Sequence, residues 1–272
     1  MKRIIYLIVI GLSLCGAAAA YANTIQIGGG LGDWGISGPS YSFTTTSVGN
    51  PKTGYANGVW YWEEKGAQNP WGYVQPGYGG YAYDIQGLYF TYDTQKLYFA
   101  AITGMPPGGF NGGYWNGTSW STSEHNTMGD IDLSFDGTKN YKYAIETLGN
   151  NAGNVYDVTS WNSATDYPSS SPTDFKTGSL DSALTSSDST KLSYGVLSGI
   201  TNPDGTPLYY IETEMNRPSF FQLGKLNIHL TETCGNDVAD LAPSPVPEPS
   251  TLLLLGCGFL GFGLFGRKKF RG

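Results

Sequence analysis

Histidine and cysteine are scarce in this chain, with 2 and 3 among 272 residues. Cys15 and Cys257 sit in apolar runs at the two ends, which leaves Cys234 as the one cysteine of the body between them. A disulfide within that body is excluded, as is a four-cysteine zinc site, and two histidines cannot build a three-histidine catalytic zinc centre. Charge is low as well, at 14% of residues, and skewed in sign. Residues 23–245 carry 9 Lys plus Arg against 21 Asp plus Glu, a net charge of −12. Such an acidic surface disfavours nucleic acid and anionic lipid as partners and suits divalent cations or neutral polymers. Motifs of catalysis are missing too. His125 and His229 accompany no Gly-x-Ser-x-Gly or His-Glu-x-x-His sequence, and the Gly28–Gly32 run lacks the Lys-Ser/Thr and helix of a phosphate loop. Glu212 and Glu214 share one face of a predicted strand, but a glycosidase pair is defined by its separation across a sugar, which sequence does not supply.

What is present is clearest at the two ends. Lys2-Arg3, the apolar Ile4–Leu14 and the small-x-small Ala20-Tyr21-Ala22 form a signal peptide over 1–22, cut between Ala22 and Asn23, with a cut after Ala20 as the alternative. At the other end Pro247-Glu248-Pro249 precedes an apolar run from Leu252 to Phe265, which Arg267-Lys268-Lys269 close. At ~1.5 Å per residue, Thr251–Phe265 spans about 22 Å as a helix, short of the ~30 Å hydrocarbon core, so it suits a transient hold. The basic cluster is expected to stay cytoplasmic as a membrane stop, with the body outside. This three-part order resembles the PEP-CTERM sorting domain of exported proteins of Gram-negative bacteria, with Pro247-Glu248-Pro249 as the motif. The resemblance covers about a tenth of the chain. It implies recognition by a membrane-embedded exosortase that cleaves near the motif. The expected layout is a signal peptide at 1–22, a body at 23–239, a Pro-rich spacer at 240–250, a transmembrane sorting helix at 251–266 and a basic cytoplasmic tail at 267–272.

The body is rich in aromatics, glycine, serine and threonine, and has no long segment of helical periodicity, which suits strands and turns. The clearest hairpin joins Gln86–Tyr92 to Leu97–Thr103 across Asp93–Lys96; a second pairs Asp130–Phe135 with Tyr141–Thr147 across an Asp-Gly turn. Further strands are expected over Lys191–Ser198, Leu208–Met215 and Lys225–Thr231. The predicted fold is all-β: an antiparallel β-sandwich of jelly-roll type with long Gly/aromatic loops over 50–83 and 159–190, plus the single C-terminal hydrophobic helix. Asp33-Trp34, the Tyr-Asp-Ile…Leu-Tyr-Phe hairpin, Gly129-Asp130-Ile131-Asp132-Leu133 and Tyr141-Lys142-Tyr143 resemble the layout of family 9 carbohydrate-binding modules and DOMON-like sandwiches.

Two candidate sites follow from the residues. Asp130, Asp132, Ser134 and Asp136 alternate, so a strand projects them from one face at about 6.6 Å intervals; Asp130 and Asp132 could begin a calcium site, the bland alternative being a polar outward face. No other cofactor is expected. Trp60, Trp62 and Trp71 lie among closely spaced tyrosines in the Gly-rich 55–83 stretch, where flat rings could stack on sugars, the alternative being that they cover the sheet. If they are a contact surface, at least two of the three should be exposed. The resulting expectation is an exported, surface-sorted, non-catalytic protein of the extracellular matrix or cell envelope, an adhesive or structural interaction module that contacts polysaccharide. An exported hydrolase acting on exopolysaccharide is the alternative. Expected partners are the Sec translocon and an exosortase during export, the membrane before processing, and exopolysaccharide or other surface glycans afterwards, with no nucleic acid. The expected route crosses the inner membrane of a Gram-negative bacterium to the surface or matrix.

Overall fold

Asn57 and Gly58 both take positive φ, 53° and 86°, the backbone of a two-residue I′ hairpin turn. They join β1 (Gly49–Ala56) to β2 (Val59–Lys65), with Ala56 opposite Val59. The start of the expected 50–83 loop is therefore a hairpin, its Asn-Gly turn masked in the sequence by the surrounding aromatic and glycine residues. β3 (Ile85–Tyr92) and β4 (Lys96–Thr103) form the hairpin expected from sequence, and the Asp93 carboxylate closes its turn by accepting from the Gln95 and Lys96 backbone N–H groups. The computed structural model describes residues 25–36, 49–65, 80–115, 120–163, 172–202, 204–235 and 237–245. The signal peptide with its Ala22/Asn23 cut, Trp71, Pro247-Glu248-Pro249, the 251–266 helix and Arg267-Lys268-Lys269 lie outside these residues. Among the described residues no helix is long and apolar enough to cross a membrane.

The remaining strands are β5 (Phe110–Trp115), β6 (Trp120–Asn126), β7 (Ile131–Ser134), β8 (Tyr143–Ile145), β9 (Val155–Ser163), β10 (Pro172–Leu180), β11 (Leu192–Thr201), β12 (Pro207–Asn216), β13 (Asn227–Thr231) and β14 (Val238–Leu241). They form two six-stranded antiparallel sheets, ordered β1-β2-β3-β4-β12-β11 and β10-β9-β8-β7-β13-β14, and a separate β5-β6 pair. Each large sheet is a four-strand meander extended by one hairpin. Consecutive strands thus stay neighbours in one sheet, which departs from the two interlocked Greek keys of the expected jelly-roll. β9 and β10 also occupy much of the expected 159–190 loop. β14 runs through Leu241, so the first residues of the expected 240–250 spacer belong to the body.

One apolar core lies between the sheets. Trp60, Trp62, Leu88, Phe90, Phe99, Ile211 and Met215 from the first meet Ile131, Leu133, Ile145, Ile228, Leu230 and Leu241 from the second. Full burial of each such aliphatic or phenyl side chain contributes about 1.5–3 kcal/mol. A second core covers the outer face of the first sheet, where Ile25, Leu31 and Trp34 of the N-terminal segment pack on Val59, Tyr89, Tyr98, Ile102 and Leu208. On the second sheet the start of the edge strand β10 closes on the residues that open β7, where the Asp130 N–H donates to the Thr173 carbonyl at 2.9 Å. The crossing is so close that a Cβ on Gly129 would stand 2.0 Å from that same carbonyl oxygen.

Candidate functional site

Strand alternation that builds the core also ends it in carboxylates. On β2 the inward row Trp60–Trp62 continues to Glu64; on β13 Ile228–Leu230 continues to Glu232; on β14 Leu241–Ala239 leads back to Asp237. Asp84, just before β3, arrives from the other direction. Its placement depends on the 3₁₀ turn Tyr81–Tyr83, which packs on Gly104: a Cβ there would stand 1.6 Å from the Tyr81 carbonyl oxygen. One carboxylate oxygen from each of Glu64, Asp84 and Asp237 lies within 4.8 Å of the other two. All four acids are more than nine-tenths buried.

The cluster is held rigidly from both sheets. Asp237 Oδ2 accepts from the Ile85 N–H at 2.6 Å and Oδ1 from the Val238 N–H at 2.7 Å. Glu232 Oε2 accepts from the Asp237 N–H at 2.9 Å, and Asp84 Oδ2 accepts from the Gln86 side-chain amide at 2.9 Å. Glu64 Oε2, Asp84 Oδ1 and Glu232 Oε1 remain buried with no hydrogen-bond partner. Among the described residues no lysine, arginine or histidine forms an ion pair with any of the four. Two like charges about 4.8 Å apart repel by on the order of 3 kcal/mol at an effective dielectric of ~20. Burial first, then the neighbouring Asp237 and Asp84 charges, raises the Glu64 pKa far above the carboxylate range. Burial likewise raises Asp84, to about 7, with the Gln86 hydrogen bond opposing, and lifts Glu232 and Asp237 well above their ordinary values. Such a group of oxygens either keeps protons or takes a hard cation.

The sequence-predicted residues fall elsewhere. Asp130, Asp132 and Ser134 do share a face, but all three are buried and not turned to solvent, with the start of β10 closing on Asp130. Both Asp130 oxygens are taken, by the Thr147 and Phe175 N–H groups, at 3.1 Å each. Asp132 is fully buried and neither of its oxygens finds a partner. Among the described residues no third histidine, cysteine or acidic ligand joins this pair, whereas Glu64, Asp84 and Asp237 do form such a group. Trp60 and Trp62 are 8% and 6% exposed. The expected exposure thus fails for both described rings, because their strand parity points them between the sheets; the Trp60 indole N–H donates to the Ser244 carbonyl at 2.9 Å.

Among the described residues three aromatic rings are exposed, Tyr55, Phe110 and Phe220, and the last lies at the other end of the sandwich. Phe220 is 50% exposed and rests edge-on against Phe135 at 5.6 Å and stacked on Tyr143 at 6.3 Å. Its neighbour Phe221 is buried beneath the Arg217 guanidinium, which also covers Tyr92 and donates to the Asp93 carbonyl at 2.8 Å. β3 separates this patch from the carboxylates, since Asp84 precedes it and Tyr92 ends it. Sequence reading missed both features. A signal for the carboxylates existed in the inward rows Trp-x-Trp-x-Glu and Ile-x-Leu-x-Glu.

Residues 245–269 match the PEP-CTERM protein-sorting motif. The chain is therefore an exported protein with an exosortase-recognised C-terminal sorting signal leading to the cell surface. No curated protein and no solved structure matches it. The expected likeness of the body to family 9 carbohydrate-binding modules and DOMON-like sandwiches is not confirmed by either comparison.

Proposed function

We propose that this exosortase substrate is a non-catalytic adhesive or structural module of the cell surface or extracellular matrix of a Gram-negative bacterium, and that it contacts polysaccharide through aromatic rings. The observation that carries this reading is Phe220, a large apolar side chain half in solvent yet fixed on Phe135 and Tyr143. A rigid, exposed ring on an acidic, charge-poor domain suits stacking on the apolar face of a neutral sugar.

The non-catalytic part is supported by how the β12 carboxylates are used. Glu212 is fully buried and accepts from the Gly28 N–H at 2.9 Å and the Trp34 indole at 3.1 Å. Glu214 is bound to Lys96 and to the Ser186 hydroxyl. Both are tied into the fold by these contacts, which weakens the hydrolase alternative. Retention of the purified protein on exopolysaccharide from the producing strain tests the proposal. Phe220→Ala is expected to weaken retention by about 2 kcal/mol, roughly 30-fold, with unchanged melting. Full retention by the variant, or release of reducing sugar by the wild type, overturns it.

A further inference from the structure

We propose that Glu64, Asp84 and Asp237, with Glu232 beside them, form a closed calcium site that ties the two sheets together at one end of the sandwich. Acidic residues alone would not justify this. The second observation is that Glu64 Oε2, Asp84 Oδ1 and Glu232 Oε1 are buried oxygens with no hydrogen-bond partner, on acids more than nine-tenths buried and projecting inward from both sheets. Buried polar atoms are ordinarily satisfied, and three such orphans at one place call for either shared protons or a bound cation, of which the calcium titration below tests the second.

The chemistry of the donors selects the ion. An all-oxygen set excludes soft transition-metal sites and leaves calcium, magnesium or manganese. One oxygen from each of three acids lies within 4.8 Å of the others, inside the ~5.2 Å that opposite ligands span across calcium at about 2.6 Å. Magnesium holds ligands at about 2.1 Å and keeps several waters, which suits a set of closely spaced, buried carboxylates poorly. The oxygens of Asp237 already accept from Ile85 and Val238, and each keeps a lone pair for the ion, so those two N–H groups orient the ligand from behind. With every donor inside the core, no position opens to a substrate. The ion would be structural.

The purified exported protein, stripped with EDTA and returned to matched ionic strength, is melted with calcium, magnesium or chelator. Calcium at a hundredfold excess over Kd is expected to raise Tm by about 5–10 °C, and magnesium by clearly less. Glu64→Gln is expected to abolish the calcium response, and Asp132→Asn to preserve it. Equal Tm in calcium and EDTA overturns the proposal, as does a response lost with Asp132→Asn and kept with Glu64→Gln. If Glu64→Gln does not fold, terbium luminescence on the wild type decides. Trp62 is two residues from Glu64 on the same face, about 6.6 Å away along the strand, and should sensitise bound terbium. A sensitised signal displaced by calcium supports the site; its absence overturns it.

Discussion

The backbone N–H of Ile85 donates to the Asp237 carboxylate across 152 positions of sequence, at 2.6 Å. Because Asp237 also accepts from Val238, one side chain closes the gap between the opening of β3 and the opening of β14. Replacing it with alanine strands the buried Ile85 donor, at about 1–3 kcal/mol, and frees the part-buried Val238 donor as well. In calcium-free buffer Asp237→Ala is therefore expected to lose stability in urea titration despite relieved charge repulsion. Asp237→Asn, which keeps one acceptor, should lose less.

The N-terminal segment is a structural cover for the first sheet. Trp34 is among the largest fully buried side chains, and its indole is anchored on Glu212. Trp34→Ala is expected to cost about 3–5 kcal/mol, read as an earlier urea midpoint. A surface tail would show no change.

Trp60 and Trp62 should behave as core rings. Substitution of either with alanine is expected to lower stability by about 3–5 kcal/mol, whereas Phe220→Ala leaves melting nearly unchanged. Calorimetry of the three variants separates the buried pair from the exposed ring.

Asp240 makes part of the acid limb of stability. Burial opposes its ionisation, but hydrogen bonds from His229 at 2.8 Å and Lys139 at 2.7 Å outweigh burial and hold its pKa at about 2, against 3.8. The folded state thus binds this proton less tightly than the unfolded chain. Its stabilisation is complete above about pH 4 and is lost as pH falls through about 2. Asp240→Asn is expected to flatten that part of the stability profile between pH 4 and 2, read from urea midpoints across that range.

In a host carrying an exosortase, Glu248→Ala is expected to slow processing and leave precursor in the membrane, visible by mass spectrometry as chains that retain residues 250–272. Wild-type chains that retain those residues would show that the motif is not processed.

Local signals were readable and long-range ones were not. The β3–β4 hairpin was legible because β-rich arms flank a polar turn that Asp93 closes by itself. The Asn57-Gly58 turn carried an equally strong signal, but Gly, Tyr and Trp around it resemble loop composition. Alternation correctly placed Asp130 and Asp132 on one face, yet it cannot say what covers that face; β10 returns from more than forty residues later to close on Asp130. The same limit hid the carboxylates. Glu64 and Glu232 each continue an inward apolar row, but only the pairing of distant strands brings them to Asp84 and Asp237.

The Trp60 indole fixes the Ser244 carbonyl, and this sets how much slack the chain has before its sorting motif. Pro247 is three residue steps beyond Ser244, at most about 10 Å of extended chain. An enzyme acting at Pro247-Glu248-Pro249 must therefore work within reach of a folded β-sandwich as wide as several strands, or act before Trp60 has seated.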